Sequence, residues 1–271
     1  MLKVNGQKVE VGNFPDGTML INGVFASGGA SESINDISWY YENDSELLAL
    51  IFITKHLRAN GNPNIELFMP YIPNARQDRV KSDKDVFTLK YFAEVINDLK
   101  FEYVTVLDPH SYVSEALINN IKVMTPEHFV KKVLKEIHEE EGAEPLMFYP
   151  DEGASKRYSG MIKLPYAFGI KKRDWQTGKI LSLDVAGETD KIKNSNILIV
   201  DDICSKGGTF YFSAKKLKEL GAKNIYLYIT HCENSILDGD LIKSDLVKQI
   251  FTTNSIFTKE HPLIKVYNLE D

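Results

Sequence analysis

Residues 196–210 read NILIVDDICSKGGTF. The run ILIV at 197–200 is apolar on both faces, the pattern of a strand buried inside a parallel sheet. Asp201 and Asp202 follow immediately. In open α/β sheets ligands collect at the carboxyl ends of such strands. Two adjacent carboxylates there are costly unless they meet hydroxyls, a metal or a cation, and vicinal sugar hydroxyls suit them. Gly207 and Gly208 allow a tight turn whose amides face an anion. Thr209 opens a helix whose positive end points the same way, and Lys206 adds a full charge. A capped turn with solvated acids would explain a lone Asp-Asp pair. It does not explain the ordered set of strand, acids, glycines and helix. The stretch reads as a cradle for the sugar and phosphate of a phosphorylated ribose, with Asp201, Asp202, Ser205, Lys206, Gly207, Gly208 and Thr209 as its contacts.

Around this stretch, helical and strand patterns alternate. Residues 45–60 predict a helix capped by Ser45 and closed by Gly61. Residues 65–69 predict a strand, 85–99 a helix with Val86, Leu89, Ala93, Ile96 and Leu99 on one face, 103–107 a strand and 127–141 a charged amphipathic helix. The alternation then restarts: strand 146–149, helix 153–162, strands 167–170 and 197–200, helix 209–220, strand 225–229. The polar stretch 175–196 reads as a long lid or binding loop. This βαβ repetition implies an α/β fold of two halves with largely parallel sheets, divided as 1–130 and 131–271.

The totals narrow the function. A chain of 271 residues buries its cores without staples, and a net charge of −6 argues against a broad nucleic-acid surface. Small phosphorylated ligands need only local positive charge. The two cysteines, Cys204 and Cys232, are too far apart in sequence for a disulfide framework or a zinc spacing and read as buried thiols. No apolar leader or membrane-spanning run is present, so the expectation is a cytoplasmic protein.

Residues 196–210 resemble the phosphoribosyl diphosphate motif shared by phosphoribosyltransferases and ribose-phosphate pyrophosphokinases. Other segments separate the two. Residues 70–80, PYIPNARQDRV, resemble the nucleotide-binding signature of the pyrophosphokinases; Arg76 and Arg79 can clamp phosphates and Gln77 can bond a base or ribose. Residues 13–18, NFPDGT, resemble the family's Phe-x-Asp-Gly-Glu element, which reaches the adenine of ATP on a neighbouring subunit. Phe14 and Asp16 match it, and Thr18 replaces its Glu. Residues 107–110, LDPH, and 149–158, YPDEGASKRY, resemble the two magnesium-binding elements, implying His110 and Asp151 as ligands of Mg²⁺. Residues 170–174, IKKRD, align Lys171 and Arg173 with the family's catalytic Lys-x-Arg. Alone, each segment has a plainer reading: an Asp78–Arg79 surface pair, a Pro-Asp-Gly turn, a structural histidine, a solvated basic turn. Together and in order they carry the resemblance from about Phe14 to Thr253.

The resemblance implies two related phosphoribosyltransferase-type domains. It also implies a diphosphotransferase in nucleotide or NAD precursor metabolism, moving the β,γ-diphosphate of ATP to the 1-hydroxyl of a 5′-phosphorylated ribose. The homo-oligomer it implies would share its nucleotide site between subunits. The chain departs from the pattern at two places. Where the family's ribose loop has Asp and Thr, this chain has Ser205 and Lys206. That shifts local charge by about two units and favours a more anionic or differently shaped 5′ substituent, which makes a sugar with a diphosphate arm such as ADP-ribose an alternative acceptor to ribose 5-phosphate. After residues resembling the closing strands it stops at Asp271, where the family adds a helix, which leaves the usual hexamer open. A phosphoribosyltransferase and a non-catalytic synthetase-associated protein are the rival readings.

Overall fold

The computed structural model describes residues 1–23, 34–173 and 180–270. The chain forms two compact units, Met1–Thr125 and Pro126–Asp271. The boundary falls five residues before the expected 130/131 division, for a packing reason given below.

In the first unit the elements run β1 (Leu2–Val4), β2 (Gln7–Lys8), β3 (Glu10–Asn13), β4 (Met19–Asn22), β5 (Asn35–Trp39), α1 (Ser45–Ala59), β6 (Ile65–Phe68), α2 (Thr88–Asp98), β7 (Val104–Leu107), α3 (Tyr112–Leu117) and β8 (Ile121–Met124). One sheet has the order β2-β1-β5-β6-β7-β8. Strands β5 to β8 are parallel, and β1 and β2 join antiparallel at the edge. Strands β3 and β4 form a separate hairpin. Ser45 does not cap α1 as expected: its amide and hydroxyl both bond Asn43 Oδ1, at 3.1 and 2.5 Å. Helix α2 begins three residues later than its apolar pattern suggests. Asp85 is held in the preceding loop, where Oδ2 accepts the amides of Lys81 and Ser82.

The second unit contains α4 (Glu127–Glu141), β9 (Leu146–Tyr149), α5 (Glu152–Tyr158), β10 (Tyr166–Arg173), β11 (Ile180–Gly187), β12 (Ile197–Cys204), α6 (Gly208–Glu219), β13 (Ile225–Cys232), α7 (Asp240–Lys243), β14 (Gln249–Thr253) and β15 (Ile264–Tyr267). Its sheet has the order β11-β10-β9-β12-β13-β14-β15. All neighbours are parallel except β11, which folds back antiparallel on β10. The stretch 175–196, expected as a loop, therefore contains a strand. Ser182 and Asp184 alternate with Leu181, Leu183 and Val185 as an edge strand requires, a signal outweighed by the polar residues on either side of it.

Helix α4 explains the boundary. Val130, Val133, Leu134 and Ile137 are buried against Met147, Tyr149, Leu198 and Tyr226 of the second sheet. A cut at 130/131 would split that face. Its last turn is fixed by Glu141, whose carboxylate accepts from Lys223 Nζ (2.8 Å), Asn224 Nδ2 (2.8 Å), the Tyr226 hydroxyl (2.8 Å) and Lys248 Nζ (2.6 Å). Lys223, Lys248 and Tyr226 together lower the Glu141 pKa from 4.5 to about 2.

A carboxyl depressed in the folded state stabilises above its unfolded pKa and loses that contribution as pH falls through the folded value. The stability of Glu141→Gln, followed by thermal melts, should fall less steeply than wild type between pH 4.5 and about 2. Equal slopes would show that the cluster does not contribute in this way.

Candidate active site

Strand β12 does not stop at Val200. It pairs with β13 through Asp201, Ile203 and Cys204. The two acids therefore lie inside the strand's last turns of ladder rather than in the loop after it. Asp202 is 6 % exposed. Its Oδ1 accepts the Ile203 amide at 2.8 Å, and its Oδ2 accepts Arg157 NH1 at 3.0 Å. Asp201 Oδ1 accepts the Asp202 amide at 3.1 Å. Burial, and then the carboxylates of Asp202 and Asp151, push the Asp201 carboxyl well above its ordinary range.

Asp151 caps α5. Its Oδ1 accepts the Ala154 amide and its Oδ2 accepts Lys171 Nζ, each at 3.0 Å. Burial alone would raise its pKa, but the amide and the ammonium outweigh burial and hold it low. The Lys171 side chain is 9 % exposed. Strands β9 and β10 approach closely here: a methyl on Gly169 would lie 2.6 Å from the Pro150 carbonyl oxygen. Asp151, Glu152, Phe168, Gly169, Ile170 and Lys171 line a cleft of about 500 Å³. A larger groove of about 670 Å³ runs along α4 and contains none of the residues singled out from sequence. Arg173 ends β10, and its side chain lies outside the described residues.

The turn that opens α6 is built from backbone. Gly207 has φ +76° and is the N-cap of α6, with no side-chain cap hydrogen bond among the described residues. A helix start left in this state presents unsatisfied donors and a positive dipole end to an anion. A Cβ at Gly207 would also meet Leu241 at 3.2 Å, so both torsion and space require glycine. From behind, Gly239 presses on the loop: a Cβ there would sit 1.9 Å from the Lys206 carbonyl oxygen. Gly208 and the Lys206 side chain are exposed and Thr209 and Ser205 half-buried. Among the described residues Lys206 has no ion-pair partner.

In the first unit, the loop after β6 and the end of β7 converge. Buried Asp78 holds Arg79 by two bonds, Nε to Oδ1 at 2.8 Å and NH2 to Oδ2 at 3.0 Å. The Arg79 bond, with Ser111 and His110 facing the same carboxylate, lowers the Asp78 pKa despite burial. The ARQDR segment and His110 are thus brought together. Arg79, expected on phosphate, is instead spent on its neighbour, while Arg76 is exposed. The Gln77 side-chain carbonyl accepts the Thr88 hydroxyl at 2.8 Å. Phe14 and Asp16 stand at the tip of the β3–β4 hairpin. Phe14 is 49 % exposed, and Asp16 Oδ1 accepts the Thr18 amide (3.0 Å) and hydroxyl (2.7 Å). Thr18, the departure from Glu, orders the turn.

Arg157 was missed from sequence because SKR in a helix reads as a solvated basic run. Helical phase held the signal: Arg157 is three residues from buried Ala154, whereas Lys156 faces solvent and pairs with Glu152. Gly239 carried no signal, since its crowding comes from a loop thirty-odd residues earlier.

No family profile matches the chain. It is 27 % identical over 266 residues to the ribose-phosphate pyrophosphokinase of Saccharolobus solfataricus, covering 96 % of this chain and 88 % of that protein. It is 29 % identical over 257 residues to the ribose-phosphate pyrophosphokinase of Thermococcus kodakarensis, covering 93 % and 86 %. The crystal structure of phosphoribosylpyrophosphate synthetase from Mycobacterium smegmatis matches with a TM-score of 0.77 at 18 % identity, over 97 % of this chain and 86 % of that one. The fold is therefore the expected α/β phosphoribosyltransferase type, and the likeness to ribose-phosphate pyrophosphokinases spans nearly the whole sequence. Among the described residues no helix is long and apolar enough to cross a membrane.

Two substitutions test the cradle. Arg157→Ala should lower stability by about 2–3 kcal/mol, the lower side of the cost of stranding a buried charge, because Arg157 keeps some solvent. Gly239→Ala must displace the Lys206 backbone, and thermal melts should show a lower midpoint than wild type. An unchanged midpoint would mean that the loop is not braced from behind.

Proposed function

We propose that this chain transfers the β,γ-diphosphoryl group of ATP to the anomeric hydroxyl of a 5′-phosphorylated ribose and releases AMP. One observation carries the reading. The uncapped start of α6 comes within six residues of Asp202, so donors for a phosphate and acceptors for sugar hydroxyls lie in one short segment. The names of the relatives support the choice of reaction over a plain phosphoribosyl transfer.

In this reading Asp201 and Asp202 accept from the 2- and 3-hydroxyls. The amides of Gly208 and Thr209, with Gly207 and Ser205 shaping the turn, hold the 5′-phosphate. Arg76 and Gln77 hold ATP, with Phe14 and Asp16 supplied by the hairpin of a neighbouring copy in a homo-oligomer. The 1-oxygen attacks the β-phosphorus, the bond to the α-phosphate oxygen breaks, and the hydroxyl proton passes to solvent. Lys171 and Arg173 neutralise the oxygens as charge shifts; such transfers are catalysed chiefly by positioning and charge.

Among the described residues no three His, Cys, Asp or Glu side chains converge as metal ligands. Mg²⁺ is commonly held by one or two carboxylates plus substrate phosphates, and the ionised Asp151 fits that donor type. Asp151, and His110 as the resemblance implies, are each proposed as contacts of Mg²⁺, and the ion would neutralise the ATP phosphates.

The acceptor is the finer question. Lys206, exposed and unpaired among the described residues, offers a cation to a second phosphate beyond the 5′ position, so ADP-ribose, whose diphosphate arm continues outward, stands beside ribose 5-phosphate. AMP formation, followed by chromatography, should require ATP and one of these acceptors. ATP left intact with both would overturn the reaction. Lys206→Thr should cost the ADP-ribose reaction more than the ribose 5-phosphate reaction, by roughly the tenfold that one charge-assisted contact supplies.

A further inference from the structure

Cys204 and Cys232, twenty-eight positions apart, are Cα partners on the adjacent parallel strands β12 and β13. Both are buried in the same core cluster, and Cys232, whose own thiol donates to the Glu233 carbonyl at 3.8 Å, is near enough to raise the Cys204 pKa. Hydrogen-bonded neighbours in a sheet lie about 4.8 Å apart, inside the Cα separation that a disulfide spans. Cys204 closes the strand that opens into the cradle. Its thiol donates to the Ser205 carbonyl at 3.3 Å, and a Cβ on Gly207 would lie 3.8 Å from its sulfur. The sulfur is therefore part of the floor under the phosphate loop.

We propose that Cys204 and Cys232 are a modification site, oxidised by a peroxide to an intramolecular disulfide that shifts the 205–207 backbone and weakens phosphate binding. The steps balance. The Cys204 sulfur takes one oxygen from the peroxide to give a sulfenic acid and water (from hydrogen peroxide). The Cys232 thiol then attacks that sulfur, forming the S–S bond and releasing a second water. A dithiol reverses the change. Forming the bond draws the Cys204 sulfur toward β13 and removes its bond to Ser205, so the turn loses its floor. Contact with Cys232 and burial raise the Cys204 thiol, which keeps the pair reduced and makes oxidation slow at neutral pH. A ligand that holds the loop closed slows it further.

The bridge itself does not depend on the proposed reaction; its effect on the acceptor does. Folded protein is treated with hydrogen peroxide, denatured, alkylated with iodoacetamide and analysed by mass spectrometry. The expected product has lost about 2 Da, resists alkylation at both cysteines and yields a linked peptide containing Cys204 and Cys232. Dithiothreitol restores both thiols, and ribose 5-phosphate slows the loss. Calorimetric titration of oxidised protein with inorganic phosphate and with ribose 5-phosphate should show weaker binding than reduced protein. Cys232→Ser should instead stop at a sulfenic acid trapped by dimedone, and Cys232→Ala serves if serine does not fold. Two alkylated cysteines after peroxide, or a bridge only between chains, would overturn the site. A bridge with unchanged phosphate affinity would overturn its effect on the loop.

Discussion

The second unit is organised around the burial of two adjacent carboxylates at the end of a sheet strand. Asp202 receives a guanidinium from α5, while Asp201 receives one backbone amide and faces two further acids. Ionising a group so placed costs free energy unless a partner arrives. Sugar hydroxyls are such partners. The same arrangement accounts for Lys171, which sits almost out of solvent against Asp151 and adds positive charge to the cluster. Three acids and two bases are assembled from β9, β10, β12 and α5, and the close approach at Gly169 keeps the supporting strands in register.

The alternation of strands and helices, and the strand-turn-helix order of residues 196–210, were legible because they rest on local patterns: ILIV for a strand buried on two faces, the amphipathic spacing of 127–141 for a helix face, Gly-Gly-Thr for a helix start. What escaped depends on residues distant in sequence. The extension of β12 through Asp201 and Asp202 is imposed by pairing with β13, and no propensity scale puts two aspartates in a strand. The fold-back of β11 is a sheet-edge event in a polar stretch. Arg157 and Gly239 gain their meaning from neighbours that only the tertiary structure supplies. Cys204 and Cys232 looked unrelated because a crossover helix separates them, and that is the element that makes their strands adjacent.

The first unit shows the opposite economy. Its segments that resemble nucleotide-binding elements are loops stiffened from within. Asp78 ties Arg79 and faces His110, Gln77 is tied to Thr88, and Thr18 ties Asp16. Loops held this way lose less entropy when a ligand orders them. The plain reading of Asp78–Arg79 as a mutual pair was correct as geometry. That pair also braces the segment carrying Arg76.

The loop that follows β12 has a frame and a set of outward side chains, and the two are under different constraints. Gly207 and Gly239 admit no side chain without moving the backbone, whereas Ser205, Lys206 and Gly208 open to solvent or to the ligand. A loop framed in this way can carry different side chains at 205 and 206 while its backbone stays where Gly207 and Gly239 hold it.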